Sequence, residues 1–379
     1  MINAIISEFN PFHNGHKYLI EKAKLKTNAD ATVCIMSGNF VQRGEAALWD
    51  KHERAAMAIK GGADLVLQIP TAHSLSGASV FARSGVYIAS ALGIETSLCF
   101  GSEDEDITPL YSLALIDRQK LANAFKSAID SGISYAQAAQ KAYEACNADA
   151  SIIKSPNNLL AFEYIKEVIA QKSDLKIVNI KRVGTDHDSD LTTDGFASAS
   201  FIRNNLDSDM SGFAPEISPV RLDTKKLEDL ILFSIYSKTA NELSQFADMT
   251  EGIENRFFEA SKDAKTYDML CQNVKSKRYT ASRIRRTAIN VLLQNPKGLY
   301  KTLPDCIRVL AFNDKGRALL NDISKKSHLP VITKPADYKK LGSLHFELEV
   351  RATDIFDFCC YNRKGKGSEY KNSPIYIKE

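Results

Sequence analysis

Short apolar, β-branched runs alternate with longer amphipathic stretches through the first half of the chain. The runs at residues 2–6, 31–36, 64–69, 96–100 and 176–180 have the length and composition of buried strands. Between them, stretches at 15–26, 50–60, 77–92, 107–129 and 155–171 carry apolar residues at helical spacing. The last opens with Ser155 in the N-cap position and Pro156 in the first turn, where its fixed φ is already helical. This alternation predicts an α/β fold, a doubly wound parallel sheet whose ligands lie beyond the carboxyl ends of the strands. After about residue 205 helical periodicity takes over, at 227–236, 253–261, 281–293 and 344–360, broken by one strand-like run at 307–312. The predicted organisation is an N-terminal α/β domain (1–205) and a mainly helical C-terminal domain (206–379), with 206–219 as linker. The tail at 361–371 is polar and basic and reads as a loop.

Composition narrows the class without naming a function. The 379 residues are enough for two domains at roughly 150 each, and 44% hydrophobic with 25% charged residues is ordinary for a globular protein, which excludes disordered and fibrous chains. No apolar run approaches the roughly 18 residues of a membrane helix, and the N-terminus lacks the regions of a secretory signal. A cytoplasmic protein with no membrane partner is expected. The seven cysteines contain no CxxC and no paired ligand spacing, so reduced thiols are expected, with neither zinc nor a disulfide framework. A net charge of +3 is too small to imply a nucleic acid partner, so any basic surface must be local.

The densest chemistry follows the first strand, in Ser7-Glu8-Phe9-Asn10-Pro11-Phe12-His13-Asn14-Gly15-His16. This is an H-x-G-H signature at a strand-to-helix junction. A helix N-terminus presents unpaired N–H groups and a positive dipole end, a ready place for phosphate. Gly15, without a side chain, would let a nucleobase or ribose approach the backbone. His13 and His16, three apart in the first turn, can both reach a triphosphate and stabilise charge developing on its α-phosphate.

Other segments fit around it. Ser198-Ala199-Ser200-Phe201-Ile202-Arg203 follows the fifth strand and has the S-x-S-x-x-R form of a phosphate-closing motif, with Ser198 and Ser200 at a helix start and Arg203 neutralising charge. Gly101, at the end of the fourth strand, would let adenosine approach. The loop after the second strand, from Met36 to Glu45, carries Gly38, Gly44 and Arg43 and suits an anionic co-substrate. No K-M-S-K-S sequence is present. In the second half, Lys275, Lys277, Arg278, Arg283, Arg285 and Arg286 fall in a window, 271–290, that holds no Asp or Glu. Such a run is either a solvated helix face or a contact for an RNA backbone.

Taken together these segments resemble the bacterial tRNA(Met) cytidine acetate ligase family, nucleotidylyltransferase-like proteins of the HxGH superfamily. The likeness runs from S-E-F-N-P-F-H-N-G-H through M-S-G-N-F-V-Q-R-G-E and S-P-N-N to K-R-Y-T-A-S-R-I-R-R and S-P-I-Y-I, essentially the whole chain. It implies an ATP-dependent ligase that activates acetate as acetyl-adenylate and transfers the acetyl group to N4 of the wobble cytidine of elongator tRNA(Met). By the same likeness, His13 and His16 are catalytic. ATP is bound by Ser7, Glu8, Phe9, Asn10, Gly15, His16, Ile20, Gly101, Asn157 and Arg182, with Ser198, Ser200 and Arg203 on its phosphates. Gly38 and Arg43 then form the acetate pocket, the six basic residues contact tRNA, and Mg²⁺ is expected with ATP. Two other readings stay open: a nucleotidylyltransferase acting on a phosphorylated small molecule, and a non-catalytic RNA-binding protein on a degenerate nucleotide fold.

Overall fold

Five strands build the parallel part of the sheet: β1 (Ile2–Ser7), β2 (Ala31–Ser37), then, after a two-stranded hairpin of β3 (Phe40–Val41) and β4 (Glu45–Ala46), β5 (Leu65–Ile69), β6 (Thr96–Ser102) and β7 (Lys176–Lys181). The computed structural model describes residues 1–131, 133, 135–183, 192, 195–214, 219 and 222–378. β1 pairs with β2 on one side, from Ile2 opposite Ala31, and with β6 on the other, from Ile2 opposite Thr96. β2 and β5 are buried along their whole length, as expected of strands covered on both faces.

Alternation along each strand divides the core into two layers. Ala4 and Ile6 of β1, Val33 and Ile35 of β2 and Leu65 and Leu67 of β5 meet Phe81, Ala82 and Val86 of the helix Ala78–Ala91 and Ala161, Phe162 and Ile165 of the helix Pro156–Ala170. Ile5, Cys34, Met36 and Val66 point the other way, onto Ile20 and Ala23 of the helix Asn14–Thr27 and Ala55, Met57 and Ile59 of the helix Lys51–Lys60. The doubly wound expectation therefore holds. The segment expected to be one helix at 107–129 is two, Thr108–Ala114 and Arg118–Asp130, because Asp117 caps a new start, its Oδ1 accepting the Lys120 N–H at 2.7 Å.

The second half does not separate from this sheet. β8 (Ile307–Phe312) pairs antiparallel with β5, Leu65 opposite Phe312, and itself carries β9 (Val331–Ile332) and β10 (Ile375–Tyr376). A division at residue 205 would thus cut three strands from a sheet ordered β10-β8-β5-β2-β1-β6-β7. The helices Thr224–Tyr236, Ile253–Ser261, Ala281–Leu292 and Leu344–Cys359 close a separate apolar cluster that also takes in Phe40 and Ala46 of the hairpin. The expected linker at 206–219 lies partly outside the described residues; within it, Met210 and Ala214 are buried against Ala197 and Ile202. In the tail, Ser368–Tyr370 forms a short 3₁₀ turn whose Glu369 is fully buried.

Candidate active site

The chain lays β2 and β5 on one side of β1 and β6 and β7 on the other, so the order of the sheet reverses at the β1/β6 boundary. In open α/β sheets the loops at such a point part and leave a crevice beyond the carboxyl ends. A cavity of about 270 Å³ opens there, lined by Ser7 to Asn10, His13, Gly15 and His16 after β1 and by Gly101 in β6.

His13 is the N-cap of the helix Asn14–Thr27, and its Nδ1 accepts the Gly15 N–H at 3.0 Å. His16, three residues on, accepts the His13 N–H on its own Nδ1 at 3.2 Å. The pair forms a capping box with imidazoles in place of the usual hydroxyl and carboxylate. Their rings stack with centroids 3.8 Å apart. Because both Nδ1 atoms accept, the neutral tautomer of each ring carries its proton on Nε2, from which it can donate to an anion. Phe9 packs edge-on to His16 at 4.8 Å, with Phe12 beside both, so the ring is backed by buried aromatics.

A Cβ on Gly15 would stand 2.8 Å from Cε1 of His13, so glycine here also lets the His13 ring fold back onto the helix end, beside the cavity that Gly15 lines. Ile20 is not on the cavity; it is 2% exposed and packs in the core beneath the helix.

Asn157, Arg182, Ser198 and Arg203 also line the cavity. Asn157 donates Nδ2–H to Glu103 at 2.5 Å, and Arg182 Nε lies 3.7 Å from the same carboxylate. An added Cβ at Gly101 would come within 3.1 Å of the Arg182 stem, so this glycine makes room for the arginine. Ser198 caps the helix Ala199–Asn204, accepting the Phe201 N–H at 2.9 Å. Arg203 donates to the Asn10 carbonyl at 2.7 Å and to Ser200 Oγ at 3.3 Å, while Ser200 itself lies off the cavity wall. Phe81, Phe100, Leu160, Tyr164 and Ile180 form an apolar and aromatic part of the lining that offers a face for a flat base.

The hairpin β3–β4 supplies Val41, Gln42 and Arg43 to the cavity. The Gln42 N–H donates to Glu8 Oε1 at 2.5 Å. Burial raises the Glu8 carboxyl above the usual glutamate range, opposed by this N–H and by Arg43. Gly38 is not in the cavity. It lies behind the hairpin, where a Cβ would meet the Gln68 amide at 2.8 Å and where its carbonyl accepts from Arg54. Arg54 is the residue that sequence reasoning missed. Fully buried, it donates to the carbonyls of Glu8 and Trp49 at 2.5 and 3.1 Å and to those of Ser37 and Gly38, tying both loops of the site together. Burial pulls its guanidinium down to about 10, which leaves it cationic at neutral pH. In the sequence it is one arginine within an amphipathic helix, with no local signal of its direction.

The basic segment divides in two. Lys275, Lys277 and Arg278 are exposed. The arginines of the helix Ala281–Leu292 correct the picture of an unpaired basic face: Arg283 is 2.9 Å from Glu251, Arg285 is 3.6 Å from Glu45, and the buried Arg286 is 3.6 Å from Asp248. Their acidic partners lie far away in sequence, where a window count does not find them. The helix start packs so closely on the hairpin turn that a Cβ on Gly44, at φ 78°, would be 2.5 Å from the Arg286 backbone nitrogen. Gly44→Ala is therefore expected to lower stability by about 1–3 kcal/mol, since both the backbone region and the space are denied to alanine; denaturant unfolding measures it.

Residues 1–371 match the family profile described as HIGH Nucleotidyl Transferase. The chain is 38% identical to the tRNA(Met) cytidine acetate ligase of Thermoanaerobacter sp. (strain X514), over 99% of this chain and 96% of that protein. It is 35% identical to that of Clostridium botulinum (strain Okra / Type B1), over 100% and 98%. Among solved structures, Thermotoga maritima TmcAL bound with alpha-thio ATP superposes with a TM-score of 0.90 at 28% identity, covering both chains fully.

Proposed function

The chain belongs to the HIGH nucleotidyl transferase family and, within it, to the tRNA(Met) cytidine acetate ligases, and from that premise we propose that it uses ATP to activate acetate as acetyl-adenylate and transfers the acetyl group to N4 of the wobble cytidine of elongator tRNA(Met), forming N4-acetylcytidine. The observation that carries this reading is the stacked pair His13 and His16 at the end of β1, on a cavity that also holds Arg43, Arg182 and Arg203.

In the first step an acetate oxygen attacks the α-phosphorus and pyrophosphate leaves. Negative charge grows on the α-phosphate oxygens, and the two Nε2–H groups, held by their capping bonds before the nucleotide arrives, stabilise it without reorganising. Arg203 and Arg182 face the β- and γ-phosphates, the apolar wall around Leu160 and Tyr164 takes the adenine, and Arg43 holds the acetate carboxylate. In the second step the cytidine amine attacks the acetyl carbonyl, AMP departs and the nitrogen loses a proton. Mg²⁺ would enter with the nucleotide, whose phosphates supply most of its ligands and whose charge it neutralises. Among the described residues no group of three or more His, Cys, Asp or Glu is placed to hold a metal.

The helical layer, with exposed Lys275, Lys277 and Arg278, is the proposed tRNA surface. Among the described residues no helix is long and apolar enough to cross a membrane, and a tRNA substrate places the reaction in the cytoplasm. The test is ATP–pyrophosphate exchange followed by incubation with tRNA. Exchange that requires acetate, and acetylated cytidine in the product, is the expected result. Exchange supported instead by a phosphorylated small molecule and not by acetate would overturn it.

A further inference from the structure

Two of the arginines expected on RNA bond instead to the loop that reaches the nucleotide cavity. We propose that Arg285 and Arg286 are positioning residues for acetate activation, holding the turn of the β3–β4 hairpin so that Arg43 stands on the cavity wall. This rests on the functional reading above and extends it to residues that do not touch substrate.

The turn is gripped from both sides. Arg285 donates Nε–H to the Arg43 carbonyl at 3.3 Å and Arg286 donates Nη1–H to the Gln42 carbonyl at 3.1 Å. On the other side the Gln42 N–H donates to Glu8, and Gln42 and Arg43 line the cavity. Arg286 is anchored in turn by Asp248 and is only 8% exposed, too buried to serve a passing phosphate. Glu45, one residue past the turn, lies 3.6 Å from Arg285 and 3.8 Å from Arg203, so the same carboxylate joins the basic helix to the phosphate-closing motif. A guanidinium can direct one N–H at a carbonyl and another at a carboxylate at once. Without it, a two-residue-per-strand hairpin has few bonds of its own to fix the Arg43 side chain.

The experiment compares full-length Arg285→Met, Arg285→Lys and Arg286→Lys with wild type in ATP–pyrophosphate exchange without tRNA, and separately measures binding of tRNA. For Arg285→Met, which is half-exposed, the KM for acetate should rise about tenfold, as expected from losing one charge-assisted contact, with KM for ATP and tRNA affinity near wild type. Arg285→Lys should recover part of the acetate KM, and Arg286→Lys should raise it without touching tRNA binding. Weakened tRNA binding with an unchanged acetate KM would overturn the proposal, because the arginines would then be RNA contacts. So would unchanged values throughout, or a parallel loss of acetate, ATP and tRNA binding, which would mark a general loss of structure. Wild type run alongside reports on the functional reading itself: no acetate-dependent exchange there overturns that reading and this proposal with it.

Discussion

His16→Ala is expected to lower acetate-dependent ATP–pyrophosphate exchange by about 10²–10³-fold, the usual cost of removing one preorganised donor from a developing oxyanion. The same change also orphans the His13 N–H, which His16 Nδ1 accepts. That loss of a cap costs about 0.5–2 kcal/mol of stability, so the alanine variant alone mixes two effects. His16→Gln separates them. Glutamine is a normal partner in a capping box and can accept the same N–H, yet it has no imidazole to place against the α-phosphate. The expected outcome is near wild-type unfolding with exchange still reduced about 10²-fold or more. If His16→Gln kept full exchange activity, the ring would be a structural cap and no part of the chemistry.

Lys51→Met should have the largest effect on stability. Lys51 is 0% exposed, with Nζ 2.8 Å from Glu369 and 3.5 Å from Glu349, both buried. Arg308 stands 3.6 Å from the other oxygen of Glu369, and Thr353 Oγ1 donates to that carboxylate at 2.9 Å. Methionine keeps the length but leaves the buried Glu369 with Arg308 alone and the buried Glu349 with its hydrogen bonds from Gln68 and the Thr71 N–H, which costs about 3–5 kcal/mol. Denaturant unfolding measures the loss, and a change below about 1 kcal/mol would show that the pair is no stronger than a surface one. The cluster also sets an acid limit. Burial alone would raise the Glu369 carboxyl, but Lys51 and Arg308 outweigh it and hold it below its ordinary 4.5. The stability this group contributes is therefore complete above 4.5 and is lost as pH falls through its lower folded value.

The parallel strands and the His13–His16 junction were legible because each is a local signal. An apolar run of strand length and a glycine between two histidines announce themselves within ten residues. What stayed hidden depends on partners distant in sequence. The run at 307–312 reads correctly as a strand, but nothing in it says that it pairs with β5. Arg285 and Arg286 look solvated in a window without acids, because Glu45 and Asp248 are supplied by other segments. Glu369 sits among basic residues in a polar tail and reads as surface, although Lys51 and Arg308 draw it into the interior. Ile20 follows the cavity residue Leu19 and Gly38 comes three residues before Val41, yet the helical period and the strand-to-loop turn keep both out of the lining.

The pairing of β5 with β8 bears on how the protein is made. Synthesis proceeds from the N-terminus, so Leu65 to Ile69 leave the ribosome long before Ile307 to Phe312 exist. Until then β5 is the outer edge of a nascent parallel sheet, apolar and with a row of unpaired N–H and C=O groups, the kind of edge that recruits strands from other chains. The growing polypeptide must keep that edge covered, by a chaperone or by its own helices, until the last fifth of the message is read. For the same reason a fragment ending at residue 205 should emerge from expression largely as aggregate, even though every residue of its nucleotide cavity is present.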